Sequence, residues 1–195
     1  MDTPALPVPA PVAPSRRTPW QTWVAVTLLG YAAVVVALTT LKAYYTIGLL
    51  WKPENQRVRE LRLMPFGIIS DSSTTFGWVF DILGNLAFFV PLGMLTMILA
   101  GRWRWTVGVA AVFSLGIEVT QYMFSLGRTD VTDLVCNTLG AALGAWIACW
   151  FSGNPTWSRR WQTLLTVVVG LAVLVFVVLV ILGPALGDPD KVVGA

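Results

Sequence analysis

Five long apolar stretches dominate this 195-residue chain and leave few folds open to it. They occupy residues 20–41, 78–100, 105–126, 133–152 and 161–183. Each is long enough, as a helix, to cross about 30 Å of hydrocarbon. Backbone amides in lipid have no water to bond, so runs of this length satisfy them internally as α-helices. The sequence therefore predicts an all-α, polytopic membrane protein built as a bundle of five transmembrane helices.

The composition narrows the classes of function. Hydrophobic residues make up 56% of the chain and charged residues only 12%, whereas soluble domains have about a quarter charged residues. The formal net charge of +3 is small and scattered, which argues against a nucleic-acid partner. The chain has no histidine, which removes the usual acid–base group at neutral pH and the commonest zinc ligand. The leading interpretation includes no cofactor, no metal and no nucleic acid.

The segments outside the apolar runs suggest an orientation. Residues 1–19 contain six prolines, which predicts a disordered tail. Residues 42–77 are predicted to form a loop with a candidate interfacial segment. The positive-inside rule gives a near tie between the two sides. Of the ten acidic residues, however, only Asp2 falls on the side of the amino terminus. We therefore predict a cytoplasmic amino terminus, an extracytoplasmic 42–77 loop and a multi-pass protein of a bacterial plasma membrane.

Polar residues inside the apolar runs gather at one end of the predicted bundle. Consecutive helices alternate in direction, so the start of the second span, the end of the third and the start of the fourth share one membrane face. A short turn is predicted at residues 127–130. The deepest charge, Glu118, lies roughly 10–12 Å below the end of its helix at 1.5 Å per residue, where a carboxyl group needs a partner or a wet cavity. The predicted ligand-binding cluster comprises Arg62, Asp81, Asn85, Glu118, Gln121, Arg128, Asp130, Asp133 and Asn137.

Structural roles compete with ligand binding for most of these residues. Asp130 and Asp133 are also typical of a solvated turn and a helix N-cap. Amide side chains such as Asn137 commonly form hydrogen bonds between membrane helices, worth about 0.6 kcal/mol each. Glu118 and Gln121 are also compatible with a purely structural pair. The small-residue stripe around Gly140 and Gly144 predicts close helix contact and no chemistry.

Four ordered motifs resemble the VanZ-like family, which is named for an accessory protein of glycopeptide (teicoplanin) resistance in Gram-positive bacteria. The motifs are Leu63–Phe66 (LMPF), Gly84–Gly93 (GNLAFFVPLG), Phe113–Gln121 (FSLGIEVTQ) and Gly127–Gly144 (GRTDVTDLVCNTLGAALG). The resemblance covers about residues 58–152. Arg62 and Asp81 stand where the family often has asparagine, and their opposite charges suggest an ion pair.

The resemblance implies a small bacterial membrane protein tied to the cell envelope and supplies no reaction. The leading hypothesis is a binding protein that contacts membrane lipids and takes a polar envelope headgroup at its outer face. That headgroup would belong to a lipid-linked cell-wall precursor or a glycopeptide. A rival hypothesis is a metal-assisted enzyme acting on a lipid pyrophosphate, since several carboxyl groups offer oxygen ligands. A third is a structural or transport subunit.

Overall fold

A computed structural model describes residues 18–41, 44, 59–67, 69, 75–153 and 155–186. The predicted disordered tail lies outside the described residues, except for its last two positions. So does most of the predicted 42–77 loop.

Five helices and two short strands make up the described part of the chain. The helices are α1 (Pro19–Val36), α2 (Thr75–Ala100), α3 (Trp103–Phe124), α4 (Val131–Ser152) and α5 (Pro155–Leu186), with a π-helical turn, Ala37–Leu41, after α1. The strands are β1 (Arg59–Arg62) and β2 (Gly127–Asp130). All five helices are long and apolar enough to cross a membrane. The predicted all-α, five-span architecture is confirmed.

Local sequence signals explain where several helices begin and end. Before α1, the Thr18 hydroxyl accepts from the backbone N–H of Gln21, and the Gln21 side chain accepts from the N–H of Thr18. This reciprocal pair satisfies two amide donors that the first turn leaves unbonded. α3 ends where Ser125 adopts a left-handed conformation, φ 55°, which closes a helix by turning the chain away. The end of α3 therefore fixes where β2 begins, at Gly127.

The closest helix contact joins α2 and α4. A Cβ atom added to Gly140 would fall on the carbonyl oxygen of Leu86, and one added to Gly144 would fall on that of Val90. The backbones therefore touch directly, as small residues permit between membrane helices. The interpretation of Gly140 and Gly144 as packing residues agrees with this contact.

Pro91 lies inside α2 without ending it. Proline removes one helical N–H and disturbs the carbonyls of the preceding turn. In that turn the Phe88 carbonyl accepts a hydrogen bond of 3.1 Å from the hydroxyl of Tyr31 on α1. Pro91 removes the helical donor of the Ala87 carbonyl, and the bond from Tyr31 ties the next carbonyl of the same disturbed turn to α1.

α5 lies at the edge of the bundle and packs mainly against α1. The Cβ position of Gly30 lies 3.3 Å from Val173, so the two helices approach closely there. Most other apolar side chains along α5 are exposed, Leu164 and Ile181 among them. From residue 164 onward α5 is almost wholly apolar and mostly exposed, which suits contact with lipid chains.

Candidate functional site

The polar residues meet at one end of the bundle, called here the polar end: the start of α2, the end of α3, the start of α4 and both strands. The π-helical turn after α1 reaches the same end. There the carbonyl oxygen of Thr39 accepts a hydrogen bond of 2.9 Å from Nε2 of Gln121 on α3.

A two-stranded parallel sheet covers the polar end. β1 pairs with β2 in a register that places Glu60 opposite Arg128 and Arg62 opposite Asp130. The predicted short turn at residues 127–130 is therefore wrong, because this segment is extended and pairs with a strand more than 60 residues earlier. Gly127 has a φ of 151°, and a Cβ there would lie 3.4 Å from the side-chain nitrogen of Gln121. The sheet therefore sits directly over the end of α3.

Glu60 joins two arginines across this sheet. Its Oε1 accepts from Nε of Arg62 at 2.7 Å, and its Oε2 lies 2.9 Å from Nε of Arg128. The guanidinium of Arg59 stacks over the ring of Tyr122, 4.5 Å from its centre. We call Arg59, Glu60, Arg62 and Arg128 the arginine cluster. The two strands together carry three guanidinium groups and two acidic side chains. Of the two acids, Asp130 is buried, so only the Glu60 carboxylate is accessible beside the arginines.

The arginines also determine the charge state of Glu60. The hydrogen bond from Arg62, reinforced by the attraction of the Arg62 and Arg128 charges, lowers the pKa of Glu60 below its ordinary value. The carboxylate therefore stays ionised at neutral pH and keeps the two guanidinium groups close together. Arg128 remains 59% exposed, so an anion arriving from solvent can reach it.

Beneath the arginine cluster, Glu118 ties α3 to the start of α4. Its Oε2 accepts a 2.9 Å hydrogen bond from the backbone N–H of Asp130, and its own carbonyl accepts one of 3.1 Å from the Thr129 hydroxyl. Asp130 caps α4 by accepting from the N–H of Thr132 at 2.7 Å. The Thr132 hydroxyl in turn accepts from the N–H of Phe66 at 2.9 Å. We call Glu118, Thr129, Asp130 and Thr132 the buried anchor.

Two further contacts between helices use predicted site residues. Asn85 on α2 donates to Oδ1 of Asp133 on α4 at 2.6 Å. Asn137 on α4 donates to the hydroxyl of Ser114 on α3 at 2.9 Å. These bonds fix the three central helices against one another, which is the structural role that amide side chains commonly have in membranes.

Two buried amide oxygens near these contacts have no hydrogen-bond donor within the described part of the chain. They are Oε1 of Gln121 and Oδ1 of Asn137, in side chains that are 6% and 2% exposed. A buried acceptor without a donor costs stability. Both amides lie on faces of α3 and α4 that point into the bundle, so each leaves one hydrogen-bond acceptor unsatisfied near the polar end.

Asp81 does not join the other predicted residues. The expected Arg62–Asp81 ion pair is wrong, since Arg62 pairs with Glu60 and Asp81 is exposed on α2 without an ion pair to any described residue. Arg62 lies in β1, two residues after Glu60, so both side chains are on the same face of the sheet and can pair. The remaining predicted residues divide between the arginine cluster, the buried anchor and the interhelical contacts.

Five residues of this network were missed from the sequence: Arg59, Glu60, Ser114, Thr129 and Thr132. Glu60 lies in a loop rich in charge, and only the pairing of β1 with β2 gives it a role. Ser114 and Thr132 look like ordinary small polar residues within apolar runs. One signal was available for Ser114, since it lies one helical turn before Glu118 and so on the same face of α3.

The carboxyl groups do not form a metal centre in the described part of the chain. No three acidic or cysteine side chains there come close enough together to hold an ion. Glu118 and Asp130 are already engaged with backbone N–H groups.

The fold and the polar end define a class of protein: a five-span membrane protein with a cationic, sheet-covered end. Residues 28–152 match the VanZ/LLP1 family, so the chain belongs to this family. It is also 30% identical over 116 residues to Protein VanZ of Enterococcus faecium. The alignment covers 58% of this chain and 66% of that relative, slightly under two thirds of the relative's length. No solved structure matches the chain.

Proposed function

We propose that the polar end faces outward and binds the anionic headgroup of a lipid-linked cell-wall precursor. The observation that carries this proposal is the arginine cluster, in which Glu60 holds two guanidinium groups together and Arg128 remains 59% exposed. Guanidinium groups bind phosphate and carboxylate oxygens through paired, charge-assisted hydrogen bonds. A pyrophosphate offers several such oxygens in a small volume.

The surroundings of the cluster support a lipid-linked ligand over a soluble one. Leu63 and Met64 follow directly after Arg62 and are 68% and 76% exposed. Exposed large apolar residues beside arginines are typical of a surface that lies at the boundary between headgroups and hydrocarbon. A ligand with an anionic head and an apolar tail complements both parts.

The buried anchor gives this site rigidity. Glu118 and Thr129 fix β2 to the end of α3, and Asp130 fixes it to the start of α4. Binding groups that are held in place before the ligand arrives lose less conformational entropy on binding. In this proposal Glu118 is a positioning residue, and Arg62 and Arg128 contact the ligand.

The test is a binding measurement on purified protein in nanodiscs, with undecaprenyl pyrophosphate and teicoplanin as separate probes. Arg128→Gln should weaken binding of the pyrophosphate about tenfold, as expected for one charge-assisted hydrogen-bonding group. The matched control is Arg160→Gln, which removes an exposed arginine at the start of α5, at the other end of the bundle. Equal affinity of Arg128→Gln and wild type contradicts the proposal. If only teicoplanin binds, and Arg128→Gln weakens that binding, the ligand of the polar end is a glycopeptide and not a lipid pyrophosphate.

A further inference from the structure

A second basic surface lies at the opposite end of the bundle, where α2 turns into α3. The sequence Arg102-Trp-Arg-Trp105 occupies the end of this turn and the first three residues of α3, and all four residues are exposed. Neither Arg102 nor Arg104 forms an ion pair with a carboxylate among the described residues. This end therefore presents two uncompensated positive charges next to two exposed tryptophans.

An apolar furrow starts at this turn and follows α3 into the membrane. A cavity of about 440 Å³ is lined by Arg102, Trp103, Arg104 and Trp105. The next is an open groove of about 740 Å³ along the surface of α3, which shares Arg104 and Trp105 and extends past Gly108 to Phe113. Residues 104 to 112 span roughly 12 Å along a helix, so the furrow descends well into the hydrocarbon layer. We call these two cavities the basic furrow.

We propose that the basic furrow is a binding site for an anionic glycerophospholipid, with its phosphate on Arg102 and Arg104 and one acyl chain along α3. Guanidinium groups match phosphate oxygens in charge and geometry. Tryptophan rings prefer the layer between headgroups and chains, which places the phosphate at the level of the arginines. A net negative lipid complements two uncompensated charges, whereas a zwitterionic lipid already carries its own cation.

Charge and shape argue against other occupants. A soluble anion would use the arginines and leave the apolar wall beside Gly108 and Val109 unfilled. A second copy of the chain would bring two more arginines against the same surface, and like charges repel. An anionic lipid places its phosphate on the two arginines and its acyl chain in the furrow, so it fits both features. The proposal does not depend on what the polar end binds.

The headgroup test uses nanodiscs made from equal parts of phosphatidylglycerol and phosphatidylcholine, with retained lipids identified by native mass spectrometry. Wild type should retain phosphatidylglycerol preferentially. The double variant R102Q/R104Q should lose about fivefold of that preference for each arginine removed, since each substitution removes a direct charge-assisted hydrogen bond to the phosphate. The control R159Q/R160Q removes the same charge from the start of α5 and should keep the preference. Equal losses in both double variants, or none in either, overturn the proposal.

The furrow test uses glycines of α3. A Cβ at Gly108 or at Gly116 meets no atom within 4 Å, but only Gly108 lines the furrow. Gly108→Leu should fill the furrow and reduce retained phosphatidylglycerol severalfold, while Gly116→Leu should retain it. If Gly108→Leu leaves the retained phosphatidylglycerol unchanged, no acyl chain lies in the furrow. The same conclusion follows if inorganic phosphate abolishes retention equally in wild type and in Gly108→Leu.

Discussion

The Glu118 carboxylate accepts a hydrogen bond from a backbone N–H, and this contact predicts what each replacement does. Glu118→Gln keeps an oxygen in the same position, so Asp130 N–H keeps its acceptor and thermal stability should stay near that of wild type. Glu118→Ala leaves that buried N–H without an acceptor, which costs about 1–3 kcal/mol. Thermal unfolding of both variants in detergent checks this. If the glutamine variant is as unstable as the alanine variant, Glu118 acts through its charge and the positioning role fails.

Glu60 should give the arginine cluster a pH dependence. Its pKa is lower in the folded protein than in the unfolded chain, because Arg62 and Arg128 favour the ionised form. Its stabilising contribution is therefore fully present above its unfolded pKa of about 4.3. The contribution is lost as the pH falls through the lower, folded pKa. The expected result is a difference in melting temperature between wild type and Glu60→Gln that is present at pH 7 and shrinks in acid.

A constant difference between wild type and Glu60→Gln across this pH range would contradict the role of the ionised carboxylate. The matched comparison is Asp81→Asn, which removes an exposed carboxyl group of the polar end that has no ion pair among the described residues. It should show little difference from wild type at either pH.

At the scale of the elements, the sequence predicted the helices well and the strands not at all. Twenty-residue apolar runs have a strong signature because lipid leaves the backbone no other partner. β1 and β2 have four residues each, too few for a periodic pattern, and they pair across a long stretch of chain. The roles of Glu60 and Arg128 depend on that pairing, so residue types and helix spacing could not reveal them. By contrast, the helix spacing correctly placed Asn85, Glu118 and Asn137 at one end of the bundle.

The α2–α4 contact predicts a strong effect from small substitutions. Gly144→Ala places a methyl group on the Val90 carbonyl, so the helices must separate; overpacking of this kind costs about 1–3 kcal/mol or more. Gly108→Ala is the control, because its added methyl meets open space. Thermal unfolding in detergent should show a large loss for Gly144→Ala and none for Gly108→Ala. Equal stability of the two variants would mean that the helices do not touch there.

The Tyr31–Phe88 hydrogen bond predicts a coupling with Pro91. Tyr31→Phe should cost about 0.6 kcal/mol, the average for a side-chain hydrogen bond between membrane helices. Pro91→Ala returns a donor to the Ala87 carbonyl and removes the ring that disturbs the turn, so the Phe88 carbonyl can approach its own helical donor, the Leu92 N–H, and the same change should cost less. A double-mutant cycle of thermal stabilities measures this coupling. Strictly additive losses would show that the tyrosine does not compensate for the proline.

At the scale of the whole molecule, the two ends of the bundle differ in how their positive charge is compensated. At the polar end, Glu60 pairs with two arginines. At the other end, Arg102, Arg104 and Arg160 are exposed and form no ion pair with a described carboxylate. Counting cations alone gave a near tie, because a count ignores pairing. The positive-inside rule describes basic residues retained on the cytoplasmic side, so we expect the uncompensated end to face the cytoplasm.

This asymmetry yields a prediction about orientation that tests both proposed sites together. In a background with Cys136 and Cys149 replaced by alanine, a cysteine is introduced by Leu63→Cys at the polar end or by Arg104→Cys at the other. Both positions are exposed, so each thiol can react if the reagent reaches its side of the membrane. In intact cells a membrane-impermeant maleimide should label the Leu63→Cys protein and leave the Arg104→Cys protein unlabelled, and permeabilised cells should show labelling of both. The reverse pattern would place the arginine cluster in the cytoplasm, where it could not bind a headgroup at the outer face. It would also move the basic furrow to the outer leaflet, away from the negative surface potential of the cytoplasmic leaflet.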